Sequence, residues 1–123
     1  MMRSIIADDE RLAREKLRIL LNSKPGVEIG AECSDGRQTI AALRVNQPDL
    51  LLLDIQMPEI DGLGVLRAIP AADMPVVIFT TAYDQYAVKA FEAHALDYLL
   101  KPFVRGRLHH AINRARAEFL RTL

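Results

Sequence analysis

Acidic, hydroxyl and basic side chains follow four separate apolar runs of the chain, and together they suit one chemistry. Asp8 and Asp9 follow residues 4–7, Asp54 ends residues 50–54, Thr80 and Thr81 end residues 76–81, and Lys101 follows residues 98–100. Converging carboxylates repel one another, and a hard divalent cation such as Mg²⁺ relieves that repulsion. An ammonium and a hydroxyl beside them can bind a phosphoryl group. The set therefore suits phosphoryl transfer, with the central carboxylate, Asp54, as nucleophile.

The segments between these residues decide whether the side chains can meet. Short apolar runs alternate five times with segments whose apolar residues have helical spacing. Strands that alternate with helices predict a parallel sheet covered by helices on both faces, with right-handed crossovers. We therefore predict a doubly wound (βα)₅ fold of the flavodoxin type, with strand order 2-1-3-4-5. The carboxyl ends of its strands, where ligands bind in such sheets, would carry all the polar residues named above.

Proline positions and hydrophobic periodicity define the predicted elements. Strands are predicted at residues 4–7, 27–33, 50–54, 76–81 and 98–100, and helices from near residues 10, 35, 61, 84 and 105. The leucines at 50–53 have helical propensity, but their short run between Pro48 and Pro58 favours a strand buried on both faces. Weak alternation places residues 27–33 nearer the sheet edge. Asp84 is predicted to cap the fourth helix, which would carry Ala87, Ala90, Phe91 and His94 on one face.

Composition limits the classes of protein to which the chain can belong. Its 123 residues predict one domain, 1–123, and 50% hydrophobic with 26% charged residues is typical of a globular protein. The 16 basic and 16 acidic residues balance, so net charge does not favour nucleic-acid binding by this chain. Its apolar runs are too short to span a membrane, its start is too acidic for a signal peptide, and Cys33 alone forms no internal disulfide. A cytoplasmic domain is expected.

Five motifs in register resemble the receiver domain of two-component response regulators. They are Asp8-Asp9, Asp54 in Leu-Leu-Asp-Ile-Gln-Met-Pro, Asp61-Gly62, Thr81-Ala82 and Lys101-Pro102-Phe103, and they extend over essentially the whole chain. Residues 80–84, 90–92 and 97–103 further resemble the receivers attached to LytTR-type (LytR/AlgR-like) DNA-binding domains. The resemblance implies a regulatory phosphoacceptor domain that catalyses only its own phosphorylation and dephosphorylation.

The same resemblance implies a role for each polar residue at the strand ends. Asp54 would accept the phosphoryl group, with Mg²⁺ as cofactor. The implied metal ligands are Asp9 directly, Asp8 mainly through a coordinated water, Asp54, and the backbone carbonyl of Gln56. Asp8 could also cap the first helix. Thr81 and Lys101 would bind the phosphoryl oxygens, and Thr81 is favoured over Thr80 because it directly precedes Ala82 and neighbouring strand residues point to opposite faces.

Further positions have implied roles around this site. Tyr98, three residues before Lys101, matches the family's rotating aromatic switch together with Thr81, although a half-buried tyrosine at a sheet edge is the alternative. The Lys101–Pro102 peptide bond is expected to be cis. Gln56 and Tyr83 occupy positions that border the water that attacks the phosphoryl group in receivers.

The implied partners are a sensor histidine kinase and a transcriptional output domain. DNA would be bound only through a LytTR-type domain absent from this chain, which would be a truncated protein or a stand-alone receiver. A homodimer is predicted through the fourth helix, fifth strand and fifth helix, with Lys89, Glu92, Asp97, Arg105, Arg114 and Arg116 exposed there. The alternative is that these arginines only solvate the last helix.

Three other classes of function share parts of this pattern. Phosphatases with an aspartate nucleophile normally carry a second acid two residues later, where this chain has Gln56, which cannot act as a general acid. A nucleotide- or flavin-binding module would need a glycine-rich loop after the first strand, where this chain has Asp-Asp-Glu-Arg. A receiver-like domain that is never phosphorylated typically lacks part of the set of acids and lysine, and this chain has all of it.

Overall fold

Five parallel strands form a single sheet in the computed structural model, in the order β2-β1-β3-β4-β5. The structure describes the backbone of residues 1–123 and every side chain except that of Val88. The strands are β1 (Met2–Ala7), β2 (Val27–Cys33), β3 (Leu50–Asp54), β4 (Val76–Thr81) and β5 (Asp97–Leu100). The predicted strand order is confirmed, with β2 and β5 at the edges.

Five α-helices cover the two faces of the sheet. They are α1 (Arg11–Asn22), α2 (Gly36–Asn46), α3 (Gly62–Arg67), α4 (Ala87–Glu92) and α5 (Arg105–Arg121). Apolar residues of α1 and α5 form one buried cluster, and those of α2, α3 and α4 form the other on the opposite face. Among the described residues, no helix combines the length and apolar character needed to cross a membrane.

The leucines of β3 join the two clusters, because successive strand residues point to opposite faces. Leu51 and Leu53 belong to the cluster beneath α2, α3 and α4, whereas Leu50 and Leu52 belong to the cluster beneath α1 and α5. Burial on both faces explains why a short leucine run forms the central strand instead of a helix.

The sheet register brings the polar strand ends to one edge. Ala7 of β1 pairs with Leu53 of β3, so Asp8 and Asp54 follow at the same level. Asp54 pairs in turn with Thr80. Thr81 pairs with Leu100, directly before Lys101.

Helix α4 is shorter than the sequence predicts, and Asp84 does not begin it. Residues Asp84–Tyr86 form a separate 3₁₀ turn, and α4 follows directly. His94 adopts a left-handed conformation with φ of 64° and lies beyond the helix end. The His94 N–H donates to the Phe91 carbonyl and the Ala95 N–H donates to the Ala90 carbonyl, which is a Schellman termination. Phe91 is mostly exposed, so the predicted apolar face is only partly buried.

The prediction that Asp97 is exposed is wrong. Asp97 is buried at 4% exposure because its side chain faces α5, where Arg107 and Arg114 are two turns apart. Its carboxylate oxygens lie 2.8 Å from Arg107 Nη2 and 3.0 Å from Arg114 Nη1. Arg116 donates instead to the Pro25 carbonyl, which lies before β2, away from the predicted dimer surface.

Replacing Asp97 by asparagine tests this pairing. Burial alone would raise the pKa of Asp97, but its hydrogen bonds with Arg107 and the Tyr98 N–H and the charges of both arginines lower it. The stabilisation is therefore present above the ordinary carboxyl pKa and is lost as pH falls through the lowered value. We expect Asp97→Asn to lower the free energy of unfolding by about 1–3 kcal/mol at pH 7. Urea denaturation measures the free energy of unfolding, and Asp73→Asn, a change at an exposed acid, is the control. An equal loss of unfolding free energy in both variants would contradict the pairing of Asp97 with the arginines.

Candidate functional site

A single ammonium lies among three carboxylates at the carboxyl ends of the strands. Lys101 Nζ is 2.8 Å from Asp8 Oδ2, 3.3 Å from Glu10 Oε1 and 3.5 Å from Asp54 Oδ2. Lys101 follows β5, whereas Asp8 and Glu10 follow β1, so these ion pairs join two strands that are not neighbours in the sheet. Glu10 was not among the residues predicted for this site, although a third acid directly after Asp8-Asp9 was a visible signal.

The acids of this site differ in burial. Asp8 and Asp54 are buried, while Asp9 and Glu10 are exposed, and one carboxylate oxygen of each lies within 4.8 Å of the others. Asp8 Oδ1 accepts a hydrogen bond from the Glu10 N–H, the residue that precedes α1. Asp8 thus braces the turn before α1 while its other oxygen faces Lys101.

Burial and charge together shift the pKa values of the central pair. Burial, followed by the charge of Asp8, raises the pKa of Asp54 to about 7, although Lys101 and the Gln56 N–H act in the opposite direction. Burial alone would lower the pKa of Lys101, but its hydrogen bond to Asp8 and the charge of Asp54 raise it above its ordinary value. Lys101 stays charged, and it does not fully compensate the acids around it.

The donor set at this edge fits a magnesium ion. Four carboxylates face one ammonium, which leaves an excess of negative charge, and all the acidic groups offer hard oxygen ligands. The pKa of Asp54 is raised first by burial and then by the charge of Asp8, and a bound cation beside it would favour the ionised carboxylate.

Thr80 and Thr81 lie on opposite sides of β4. Phe79 packs beneath α2, α3 and α4 and Ile78 beneath α1 and α5, so alternation places Thr81 on the first side and Thr80 on the second. Both are fully buried. Thr81 Oγ1 accepts a hydrogen bond from the Tyr83 N–H at 3.1 Å, and the Thr81 carbonyl accepts one from the Lys101 N–H at 2.7 Å.

Gln56 connects Asp54 to the segment before α4. Its backbone N–H donates to Asp54 Oδ1 at 3.2 Å, and its side-chain Nε2 donates to the Tyr86 hydroxyl at 2.9 Å. Tyr86 was not among the residues predicted for this site, because a tyrosine between two regular elements has no sequence pattern that indicates which side chain it contacts. Tyr83 is half exposed and lines the cavity above Asp54.

Gly62 allows the loop after β3 to pass close to Asp54. Its N–H donates to the Ile55 carbonyl at 2.8 Å, and a Cβ at this position would collide with the carbonyl oxygen of Asp54. Asp61 accepts a hydrogen bond from the Gly64 N–H and so begins α3. The Asp61-Gly62 motif therefore shapes the backbone behind the phosphoacceptor candidate.

The end of β5 carries the remaining residues with an implied role. The Lys101–Pro102 peptide bond is cis. Tyr98 is half-buried, and its ring packs edge-on against the Phe91 ring of α4, with 5.8 Å between the ring centres.

Comparison with known proteins points to one family. A family model described as the response regulator receiver domain matches residues 5–113. The chain belongs to the response regulator receiver domain family.

An uncharacterized response regulatory protein of Yersinia pestis is 48% identical over 120 residues, which cover 98% of this chain and 50% of that protein. The transcriptional regulatory protein BtsR of Escherichia coli K12 is 47% identical over 118 residues, covering 96% and 49%. The response regulatory domain of protein mrkE from Klebsiella pneumoniae superposes with a TM-score of 0.90 at 34% identity, covering 98% and 99%.

Family membership confirms the coarser part of the sequence interpretation. The chain is a receiver domain of a two-component response regulator with the flavodoxin-like fold, and relatives of it are named transcriptional regulators. Receiver domains generally bind Mg²⁺ at an acidic pocket, and this one has such a cluster. The match favours a receiver over a phosphatase or a nucleotide-binding module. This receiver spans about half the length of the curated relatives that it matches.

The raised pKa of Asp54 predicts a pH-dependent stability. The pKa of Asp54 is raised from its ordinary value of 3.8 to about 7 in the folded chain, so the folded state binds more protons than the unfolded state between these values. The contribution of Asp54 to stability therefore falls as pH rises through that window.

Without divalent metal, we expect Asp54→Asn to stabilise the domain increasingly as pH rises through this window, reaching roughly 1–4 kcal/mol above it. Urea denaturation in the presence of a chelator measures the difference, with Asp84→Asn as an exposed-acid control. A gain that is the same at low and neutral pH would show that the Asp54 proton has no such linkage to folding.

Proposed function

We propose that this receiver accepts a phosphoryl group on Asp54 from the phosphohistidine of a sensor histidine kinase. The observation that carries the proposal is the position of Lys101, whose ammonium contacts both Asp8 and Asp54 across the strand ends. An ammonium already beside the acceptor carboxylate can bind the incoming phosphoryl oxygens as soon as they arrive. The excess of carboxylates around it supports a metal-assisted reaction.

The chemistry assigned to Asp54 is a direct substitution at phosphorus. An Asp54 Oδ atom forms the new bond to phosphorus as the bond from phosphorus to the histidine nitrogen breaks, and that electron pair leaves with the imidazole. The Thr81 hydroxyl and the Lys101 ammonium bind oxygens of the transferred group. Asp9, Asp8, Asp54 and the Gln56 backbone carbonyl would hold Mg²⁺, which when bound neutralises charge on the phosphoryl oxygens.

Phosphorylation is proposed to change the conformation of β5 and α4. When Thr81 and Lys101 move towards the phosphoryl group, Tyr98 turns inward and its edge contact with Phe91 of α4 changes. Phosphorylation thereby favours one of two conformations of this side of the domain. A homodimer through α4, β5 and α5 would then use the exposed Lys89, Glu92 and Arg105, because Asp97 and Arg114 are already paired within the chain.

The output is proposed to be transcriptional control by a LytTR-type DNA-binding domain in the cytoplasm. Residues 1–123 would belong to the receiver domain of that regulator, and DNA would be bound by its output domain. The support is the length of relatives such as BtsR, of which this chain covers 49%, and their description as transcriptional regulators.

Phosphorylation of Asp54 is tested with a small phosphodonor. Incubation with Mg²⁺ and acetyl phosphate should add one acid-labile phosphoryl group, seen by intact-protein mass spectrometry. Asp54→Asn should abolish it, because an amide oxygen is a far weaker nucleophile than a carboxylate. The exposed-acid variant Asp84→Asn should be modified like the wild type, and full modification of Asp54→Asn would assign the acceptor elsewhere.

The proposed metal ligand Asp9 is tested by calorimetry. Asp9→Ala should lose most Mg²⁺ affinity, because one hard oxygen ligand and its charge are removed, and it should gain stability from reduced repulsion. Glu10→Gln, which changes the neighbouring acid that pairs with Lys101, should keep most of the affinity. Equal Mg²⁺ affinity in the wild type and Asp9→Ala would remove Asp9 from the ligand set.

A further inference from the structure

One side-chain hydrogen bond lies beside the cavity that contains Asp54. The Gln56 side-chain Nε2 donates to the Tyr86 hydroxyl at 2.9 Å, which joins the segment after β3 to the 3₁₀ turn before α4. The two residues are 30 positions apart in the chain. Tyr86 lies outside the sequence motifs that indicate the phosphorylation site.

This hydrogen bond, called here the Gln56–Tyr86 bridge, lies next to two cavities. A cavity of about 240 Å³ lies above Asp54 and is lined by Gln56 and Lys101 among others. A neighbouring cavity of about 410 Å³ is lined by Gln56 and by Tyr86. Gln56 and Asp9 thus line both cavities, and the Gln56 side chain is held at its far end by the Tyr86 hydroxyl.

The Tyr86 ring has contacts that keep its hydroxyl in place. The Tyr86 ring packs edge-on against the Tyr83 ring, with 6.3 Å between the ring centres. Lys89 Nζ lies 5.6 Å from the centre of the Tyr86 ring. The ring also packs against the buried cluster beneath α2, α3 and α4. A tyrosine held on several sides presents its hydroxyl at a defined point, so the Gln56 amide loses little entropy in reaching it.

We infer that Tyr86 is a positioning residue: it holds the Gln56 side chain beside the cavity that contains Asp54 and so limits the entry of water and small phosphodonors to Asp54. This role rests on the proposed function of Asp54 as phosphoacceptor. Gln56 forms the barrier, and Tyr86 acts only through it.

Both reactions of Asp54 with small molecules need access to this cavity. In hydrolysis, a water oxygen bonds to phosphorus as the bond from phosphorus to Asp54 breaks. The electron pair stays on the Asp54 carboxylate, one water proton passes to solvent, and inorganic phosphate leaves. With acetyl phosphate, Asp54 Oδ bonds to phosphorus and acetate leaves with its electron pair. Both reactants enter the cavity above Asp54 from solvent, so loss of the bridge should speed both reactions.

The test uses Tyr86→Phe, which removes one hydroxyl and keeps the ring. We expect the rate constants for phosphorylation by acetyl phosphate with Mg²⁺, and for loss of the phosphoryl group after donor removal, each to rise roughly two- to tenfold, the range that one neutral hydrogen bond allows. Gln85→Met, at an exposed neighbour in the same turn, is the control and should react like the wild type. Unchanged or lower rate constants in Tyr86→Phe would overturn the inference.

A double-mutant cycle distinguishes positioning from a general loosening of the loop. If Tyr86 acts through Gln56, Gln56→Met should raise both rate constants, and adding Tyr86→Phe to it should change them no further. Additive effects in the double variant would show that Tyr86 acts by another route and would overturn the inference.

A measurement without any phosphodonor examines the bridge itself. The NMR signals of the Gln56 side-chain amide should shift and exchange faster with water in Tyr86→Phe, and stay unchanged in Gln85→Met. Unchanged amide signals in Tyr86→Phe would refute the bridge even if Asp54 is phosphorylated. Failure of the wild type to take up any phosphoryl group would refute the proposed function, and with it the access role, whatever the amide signals show.

Discussion

The ion pairs of Lys101 are the interaction on which the rest of this site depends. A parallel sheet brings its strand ends together, and here those ends carry carboxylates from β1 and β3 that would repel one another if left alone. The Lys101 ammonium, 2.8 Å from Asp8 and 3.5 Å from Asp54, is the positive charge that lies between these two buried groups. Thr81 at the end of β4 pairs with Leu100 at the end of β5, so Lys101 follows at the carboxyl edge of the sheet. From there its ammonium reaches Asp8 and Asp54. Residues that set this register, above all the leucines of β3, therefore act on the site without touching it.

The predictable part of the structure is the part fixed by periodicity and by strand ends. The leucine run of β3 between two prolines was sufficient to predict a doubly buried central strand, and the order 2-1-3-4-5 then placed Asp8, Asp54 and Lys101 at one edge. The end of a strand can be located from the local sequence. Because the carboxyl ends of parallel strands lie at one edge of the sheet, contacts between the side chains at those ends can be predicted from the sequence.

The contacts that could not be predicted join side chains whose partners are set by three-dimensional packing. Asp97 is acidic and near the chain's basic end, which favours exposure, yet its position on β5 turns it towards α5 and the guanidinium of Arg107. The end of α4 depends on His94 adopting a left-handed conformation, to which non-glycine residues have only a weak preference. Tyr86 meets Gln56 only because two loops lie side by side. Each of these depends on where a neighbouring element sits.

Under the proposed function, phosphorylation and metal binding must favour each other. A phosphoryl group on Asp54 brings nearly two negative charges at neutral pH, and it draws the Lys101 ammonium towards its own oxygens. Asp8 has no solvent exposure, so the carboxylate that loses its ion pair with Lys101 would remain buried and uncompensated. A buried carboxylate in that state is costly and needs another positive charge. A cation bound by Asp8 and Asp9 supplies that positive charge, so cation binding must raise the affinity of Lys101 for the phosphoryl group. By linkage, the contact between Lys101 and the phosphoryl group must raise the affinity for the cation by the same factor.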